Sequence, residues 1–222
     1  MTLFEALYRR WGPQHWWPGE TPFEVIIGAI LTQNTAWTNV ERAIARLRAE
    51  DRLSPHRLYE ADPRALAEWI RPAGYFNVKA RRLRAFLDWL FAEFDGRLDQ
   101  LFALPTPTLR TALLNVAGIG PETADSILLY AAGRPVFVVD AYTRRALLRH
   151  RWIAPEASYD DVARFFTTRL PRDTALFNEY HALIVRLGKT TCRTRPQCEI
   201  CPWRRWLPRG GWADRPSSPA SR

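Results

Sequence analysis

Apolar residues recur along almost the whole chain at three- and four-residue spacing, the period of a helix with a buried face. Residues 3–11 make a short amphipathic start, and positions 13–22 break the pattern around Trp16-Trp17-Pro18. Thr21 stands where a helix N-cap belongs, and Pro22 suits the first turn after it. The helix predicted from there, about 22–33, places Phe23, Ile26, Ile27, Ile30 and Leu31 on one broad face. A second helix follows Asn34 and runs to about Glu50. Ser54-Pro55 and Asp62-Pro63 repeat the cap-plus-proline signature. Segment 77–94 carries Leu83, Phe86, Leu87, Leu90 and Phe91 at core spacing, and Thr106-Pro107 opens another helix. Further helices are predicted over about 121–132, 141–150, 158–169 and 173–187. Beyond Pro208 the chain is rich in Arg, Pro, Gly and Ser and reads as a frayed tail. The pattern predicts an all-α protein in two lobes. Its most natural break lies near Gly133-Arg134-Pro135, where the apolar run Val136-Phe137-Val138-Val139 leads into Asp140.

The chain has 222 residues, 47% of them hydrophobic, enough for a substantial core. Disorder throughout is excluded. No apolar run reaches the ~18 residues of a membrane span, and the N-terminus has no apolar signal stretch. The expectation is a cytoplasmic, nucleoid-associated monomer with no membrane partner. Thirty-two Lys+Arg against 23 Asp+Glu leave a net charge of +9, which suits a polyanionic partner such as nucleic acid. Thirty of the 32 are arginine, a bias that genome composition also produces. Lys79 and Lys189 are the only lysines, and this scarcity constrains amine chemistry.

The strongest local signal is Leu113-Leu114-Asn115-Val116-Ala117-Gly118-Ile119-Gly120-Pro121-Glu122-Thr123-Ala124. A helix ends, two glycines form a tight turn and a new helix begins. Gly-Ile-Gly permits close backbone approach and positive φ. It also leaves free N–H groups at a helix start, aimed at an anion. A helix-hairpin-helix holds a DNA phosphate in this way without reading bases. Twenty residues beyond Gly120, Asp140 ends the apolar run, as a helix N-cap, a catalytic carboxylate or both.

The hairpin followed by Val138-Val139-Asp140 resembles the helix-hairpin-helix/Asp superfamily of DNA glycosylases, typified by endonuclease III. The resemblance covers about residues 3–207 and includes Gly28-Ala29-Ile30-Leu31-Thr32-Gln33-Asn34-Thr35 and the cysteine cluster. Trp16-Trp17-Pro18, Leu31-Thr32-Gln33-Asn34-Thr35, Gly118-Ile119-Gly120-Pro121-Glu122-Thr123-Ala124-Asp125 and Tyr180-His181-Ala182-Leu183-Ile184-Val185 are similar to the subgroup that includes 3-methyladenine DNA glycosylases of endonuclease III type. The resemblance implies a two-lobed helical DNA glycosylase fold. A six-helix lobe would span 20–133, with the helix-hairpin-helix at about 113–132. A second lobe would join 1–19 to 134–222 and carry a C-terminal iron–sulfur cluster loop at 192–207. The active site would lie in the cleft between the lobes. Double-stranded DNA with a damaged base would be kinked there and one nucleotide flipped, because the glycosidic carbon is unreachable inside the stack.

By the same resemblance Asp140 matches the catalytic acid. A carboxylate there would stabilise positive charge developing on the sugar and orient water. Two residues beyond Gly120, bifunctional members carry a lysine that forms a Schiff base with the sugar. Here that position is Glu122, which cannot form the imine. The expected enzyme is therefore a monofunctional, water-using base-excision repair glycosylase. Glu122 either hydrogen-bonds in the pocket or is a solvated helix residue. Trp16, Trp17 and Trp37 match the base pocket, where aromatic faces would hold a cationic alkylated purine. Core packing is their other reading. Gln33 matches the residue that fills the gap left by the flipped nucleotide. Asn34 assists it, or either residue caps the next helix. The DNA-binding set also includes Gly118, Gly120 and Thr123. Two rival readings are an oxidised-pyrimidine glycosylase with atypical lyase activity and a non-catalytic DNA-binding module.

Cys192-x5-Cys198-x2-Cys201 are all the cysteines of the chain. Such spacing suits an iron–sulfur cluster or zinc better than a disulfide framework. The family pattern is four cysteines around a [4Fe–4S] cluster. Here the first spacer is one residue shorter and Leu207 occupies the fourth position. A cluster is expected, with three Cys ligands and an unidentified fourth; zinc or no metal are the alternatives. His181 is the one histidine near the cysteines in sequence and is read as a packing or hydrogen-bonding residue. Arg193, Arg195, Arg204 and Arg205 surround the cysteines. Residues 186–222 carry nine basic and two acidic side chains, a net of +7, a patch suited to phosphates.

Overall fold

The computed structural model describes residues 2–17 and 19–212 and is helical, with no strand among them. The expectation of a frayed tail falls from 213 onward outside the described residues, as does Pro18. The chain divides into two compact units, Trp17–Arg134 and Met1–Trp16 with Pro135–Arg222.

The first of these units is built on α2 (Pro22–Leu31). Thr21 accepts from the Glu24 N–H and so caps the helix. α2 is buried on every side rather than along the single face predicted. Even Glu24 is inside, and both its carboxylate oxygens accept from the Arg48 Nη2 at 2.9 and 3.0 Å. Around α2 pack α3 (Trp37–Ala49), α6 (Phe76–Phe94) and α9 (Pro121–Ser126). Short helices α4 (Pro55–Tyr59) and α5 (Pro63–Trp69) start at Ser54 and Asp62, whose side chains accept backbone N–H groups as predicted. α7 (Leu98–Ala103) leads to α8 (Thr106–Leu114).

Two boundaries differ from the reading of the sequence. α2 stops at Leu31, because Asn34 takes a left-handed backbone, φ +55°, and turns the chain. Asn34 does not cap α3; the N-cap position is Ala36, which makes no side-chain bond. α9 is six residues long and runs into one π-helical turn, Ile127–Ala131, instead of continuing as α-helix.

The other unit holds α1 (Leu3–Trp11), α10 (Ala141–Arg149), α11 (Tyr159–Thr167) and α12 (Thr174–Thr190). α12 packs against α10 and α1. Phe137, from the apolar run, stacks on Phe166 at 3.7 Å and meets Phe177 edge-on. α10 and α12 approach so closely that a Cβ on Gly188 would fall 2.4 Å from the Tyr142 ring. Trp203 is fully buried and its Nε1 donates to the Leu3 carbonyl at 2.9 Å, pinning the cysteine segment to α1. No helix among the described residues is long and apolar enough to cross a membrane.

Candidate functional site

The hairpin joins α8 to α9 through Asn115–Gly120. Only one of its two glycines is demanded by the backbone. Gly118 has φ +89°, and a Cβ there would fall 2.4 Å from Arg82 Cγ. Gly120 is extended, φ −94°, with open space around it. The expectation of positive φ thus holds for Gly118 and fails for Gly120, which only has to start α9. A buried ion pair clamps the two helices: Arg110 of α8 donates through Nε to Asp125 Oδ1 at 2.7 Å and through Nη2 to Oδ2 at 3.2 Å.

Gln33 is docked on this hairpin. Its Nε2 donates to the Gly118 carbonyl at 3.1 Å and to Thr123 Oγ1 at 2.9 Å. Its Oε1 accepts from Arg82 Nη1. Thr123 is buried beneath it, while Asn34 is exposed on the same turn. Arg82 is a member of this set that the sequence reading did not assign. Glu122 lies exposed in the first turn of α9.

Trp17 and Trp37 meet edge to face at 4.9 Å over Gly28 of α2. Tyr130, from the π-helical turn, adds a third ring 4.9 Å from Trp17. All three are half-buried, so they offer aromatic faces without being sealed in the core. Tyr130 was not among the residues expected. Trp16 belongs to the other unit, where Lys189 Nζ stands 5.7 Å from its ring centre.

Asp140 is the N-cap of α10, and its Oδ1 accepts from the Thr143 N–H at 2.7 Å. The side chain is 12% exposed. Its Oδ2 faces buried His181, whose Nε2 stands 3.8 Å away. Burial lowers the His181 pKa, and the Asp140 charge opposes that shift. The ring is therefore a neutral neighbour of one carboxylate oxygen.

Lys79 is 1% exposed, and its Nζ donates to the Leu31 carbonyl at 2.8 Å and the Ala73 carbonyl at 2.7 Å. It ties the end of α2 to the turn before α6. Desolvation, with the charge of Arg82, lowers its pKa from 10.5 to about 8. Below pH 8 the folded and unfolded chains both hold this proton. Between about 8 and 10.5 only the unfolded chain does, so stability from this group rises with pH across that window. Relative to Lys79→Met, the wild-type protein should gain on the order of 2 kcal/mol between pH 7.5 and 10.5. Urea unfolding of both proteins across that range checks it; a constant difference would contradict the assignment.

Cys192, Cys198 and Cys201 border one small cavity, with Leu207 and His150. Burial raises the Cys201 pKa to about 11, and the charges of Cys192 and Cys198 add to the shift. Among the described residues no three His, Cys, Asp or Glu side chains converge on a point that one metal ion could occupy. Thiolates are the donors an iron–sulfur cluster takes, and all three cysteines border this cavity. Arg149 Nη1 donates to Cys192 Sγ at 3.3 Å. Arg193, Arg195, Arg204 and Arg205 are exposed around the cavity.

The model of the HhH-GPD superfamily of base excision DNA repair proteins matches residues 27–172. A candidate DNA repair glycosylase of Methanocaldococcus jannaschii is 45% identical over 202 residues, covering 90% of this chain and 91% of its own. Endonuclease III of Sulfolobus acidocaldarius is 32% identical, covering 81% of this chain and 78% of its own. Among solved structures, the 3-methyladenine DNA glycosylase of H. pylori bound to 1,N6-ethenoadenine superposes with a TM-score of 0.73. It is 28% identical, covering 84% of this chain and 95% of its own.

Proposed function

The chain belongs to the HhH-GPD superfamily of base excision DNA repair proteins, and from that footing we propose a monofunctional DNA glycosylase. It would hydrolyse the N-glycosidic bond of a flipped damaged base, with an alkylated purine such as 3-methyladenine as the leading substrate. The observation that carries the reading is Glu122 in the first turn of α9, at the position where the resemblance places a lysine nucleophile in bifunctional members. Of the two lysines, Lys79 has a pKa low enough for a nucleophile, but its Nζ is buried and held by two carbonyls. Lys189 is exposed beside Trp16.

In this reading Asp140 supplies the negative charge opposite the sugar. Its Oδ1 is committed to the Thr143 N–H, so Oδ2 is the oxygen that faces the developing oxocarbenium and orients water. His181 is a positioning residue that borders Oδ2. Trp17, Trp37 and Tyr130 offer aromatic faces to a cationic base by stacking and cation–π attraction. The H. pylori relative's purine lesion supports that substrate class. Gln33, held ready on the hairpin by Arg82, would move into the space vacated by the flipped nucleotide. Asn34 stands exposed beside it. The Gly118–Gly120 turn and the Arg193, Arg195, Arg204 and Arg205 patch would hold phosphates. Cys192, Cys198 and Cys201 would hold an iron–sulfur cluster beside this patch.

Duplexes bearing an alkylated purine, thymine glycol or uracil test the reading. Strand breaks are expected only after alkali, chiefly on the alkylated purine, with no borohydride-trapped protein–DNA adduct. Alkali-free breaks and trapping would mean that an amine nucleophile acts. Lys189→Gln would then identify or clear the only exposed lysine.

A further inference from the structure

We propose that His150 is the fourth protein ligand of the iron–sulfur cluster, beside Cys192, Cys198 and Cys201; this rests on the cluster reading above. Spacing in the sequence puts the fourth ligand at Leu207, which has no lone pair to donate. Leu207 does border the cavity, and so does His150, from the far end of α10. The structure thus reassigns the two histidines. His181, near the cysteines in sequence, faces Asp140, whereas His150 lines one cavity with the three cysteines.

Three observations support ligation. His150 is 6% exposed, so its polar edge needs a partner. Its Nδ1 lies 3.1 Å from the Trp206 carbonyl. A carbonyl only accepts, so Nδ1 carries the hydrogen and Nε2 of the neutral ring carries the lone pair. A ring that donates one N–H to a backbone carbonyl and lines a cavity bordered by thiols has the outer-shell support of a metal-bound histidine. Finally, the ring is fixed before any ligand arrives: it stacks on Trp152 at 4.3 Å and meets Trp203 edge-on at 5.8 Å. Arg149, the preceding residue, touches Cys192 Sγ, so α10 delivers two functions to one site.

Histidine in place of cysteine raises the potential of an iron–sulfur centre. The full-length protein is reconstituted anaerobically with iron and sulfide, and the reduced cluster is studied by pulsed EPR after growth on 15N-histidine. A nitrogen coupling that follows the isotope is expected in the wild type. It should vanish in His150→Cys, which keeps the cluster at a lower potential. His150→Ala should lose the coupling and about one iron per chain; circular dichroism verifies that both variants are folded. A wild-type cluster without nitrogen coupling, or coupling that survives in His150→Ala, overturns the histidine assignment and leaves the cluster reading standing. Failure of the folded wild-type protein to take up any cluster overturns both.

Discussion

Asp140→Asn is expected to lower base excision about a thousandfold while leaving the fold nearly unchanged. The two halves of this expectation come from the two oxygens of one side chain. As N-cap of α10, Asp140 offers Oδ1 to the Thr143 N–H. Asparagine caps a helix as well as aspartate does, so that bond survives and the melting temperature should barely move. The substitution removes the negative charge. Breaking a glycosidic bond leaves positive charge on the sugar, and in a partly desolvated place a carboxylate opposite it is worth far more than in water. A thousandfold corresponds to about 4 kcal/mol of lost transition-state stabilisation. Single-turnover excision on an alkylated-purine duplex, with duplex affinity and thermal melting measured on the same variant, separates the effects. Intact affinity with lost turnover assigns the charge to chemistry. Excision within tenfold of wild type would move the reaction to another residue.

Asp140 also shows where the sequence speaks and where it is silent. Its cap role was legible because capping is local: the acceptor and the N–H it binds are three residues apart. Thr21, Ser54 and Asp62 were legible for the same reason. The end of α2 was not, because Asn34 enters a left-handed turn beside Gln33, whose partners Gly118 and Thr123 lie 85 and 90 residues away. Periodicity carries no information about such partners. Arg82 was unreadable as the residue behind Gln33 because one arginine among thirty has no local mark. The all-round burial of α2 was masked by Glu24, a charge that implies a solvent face until Arg48 is seen to neutralise it. Cysteine spacing pointed to Leu207, which borders the cavity, but so does His150 at the end of α10, a contact only the fold reveals. One signal was available: His150 ends a helix that starts at Asp140, so a helix drawn there carries it to the far end.

Arg110→Met should be the most destabilising single change in the hairpin, by about 3–5 kcal/mol. Asp125 is 4% exposed, so removing its guanidinium leaves a carboxylate in the core without that partner. The reverse substitution should cost less. Arg110 is 26% exposed, and after Asp125→Leu its long side chain can turn to water. Replacing both partners removes the buried charge as well as the bond, so Arg110→Met/Asp125→Leu should be more stable than Arg110→Met alone. Urea unfolding of the four proteins completes the cycle. Equal losses in both single variants, adding in the double, would mean that the pair is not coupled. A second consequence reaches function. The ion pair fixes α8 against α9, and the Gly118–Gly120 turn lies between those helices. Conditions that keep Arg110→Met fully folded should therefore still show weaker duplex binding, because the backbone N–H groups of the turn would lose the fixed geometry by which, in the proposed function, they share one phosphate. Wild-type affinity in that folded variant would mean that the turn holds its shape from Gly118 and Gln33 alone.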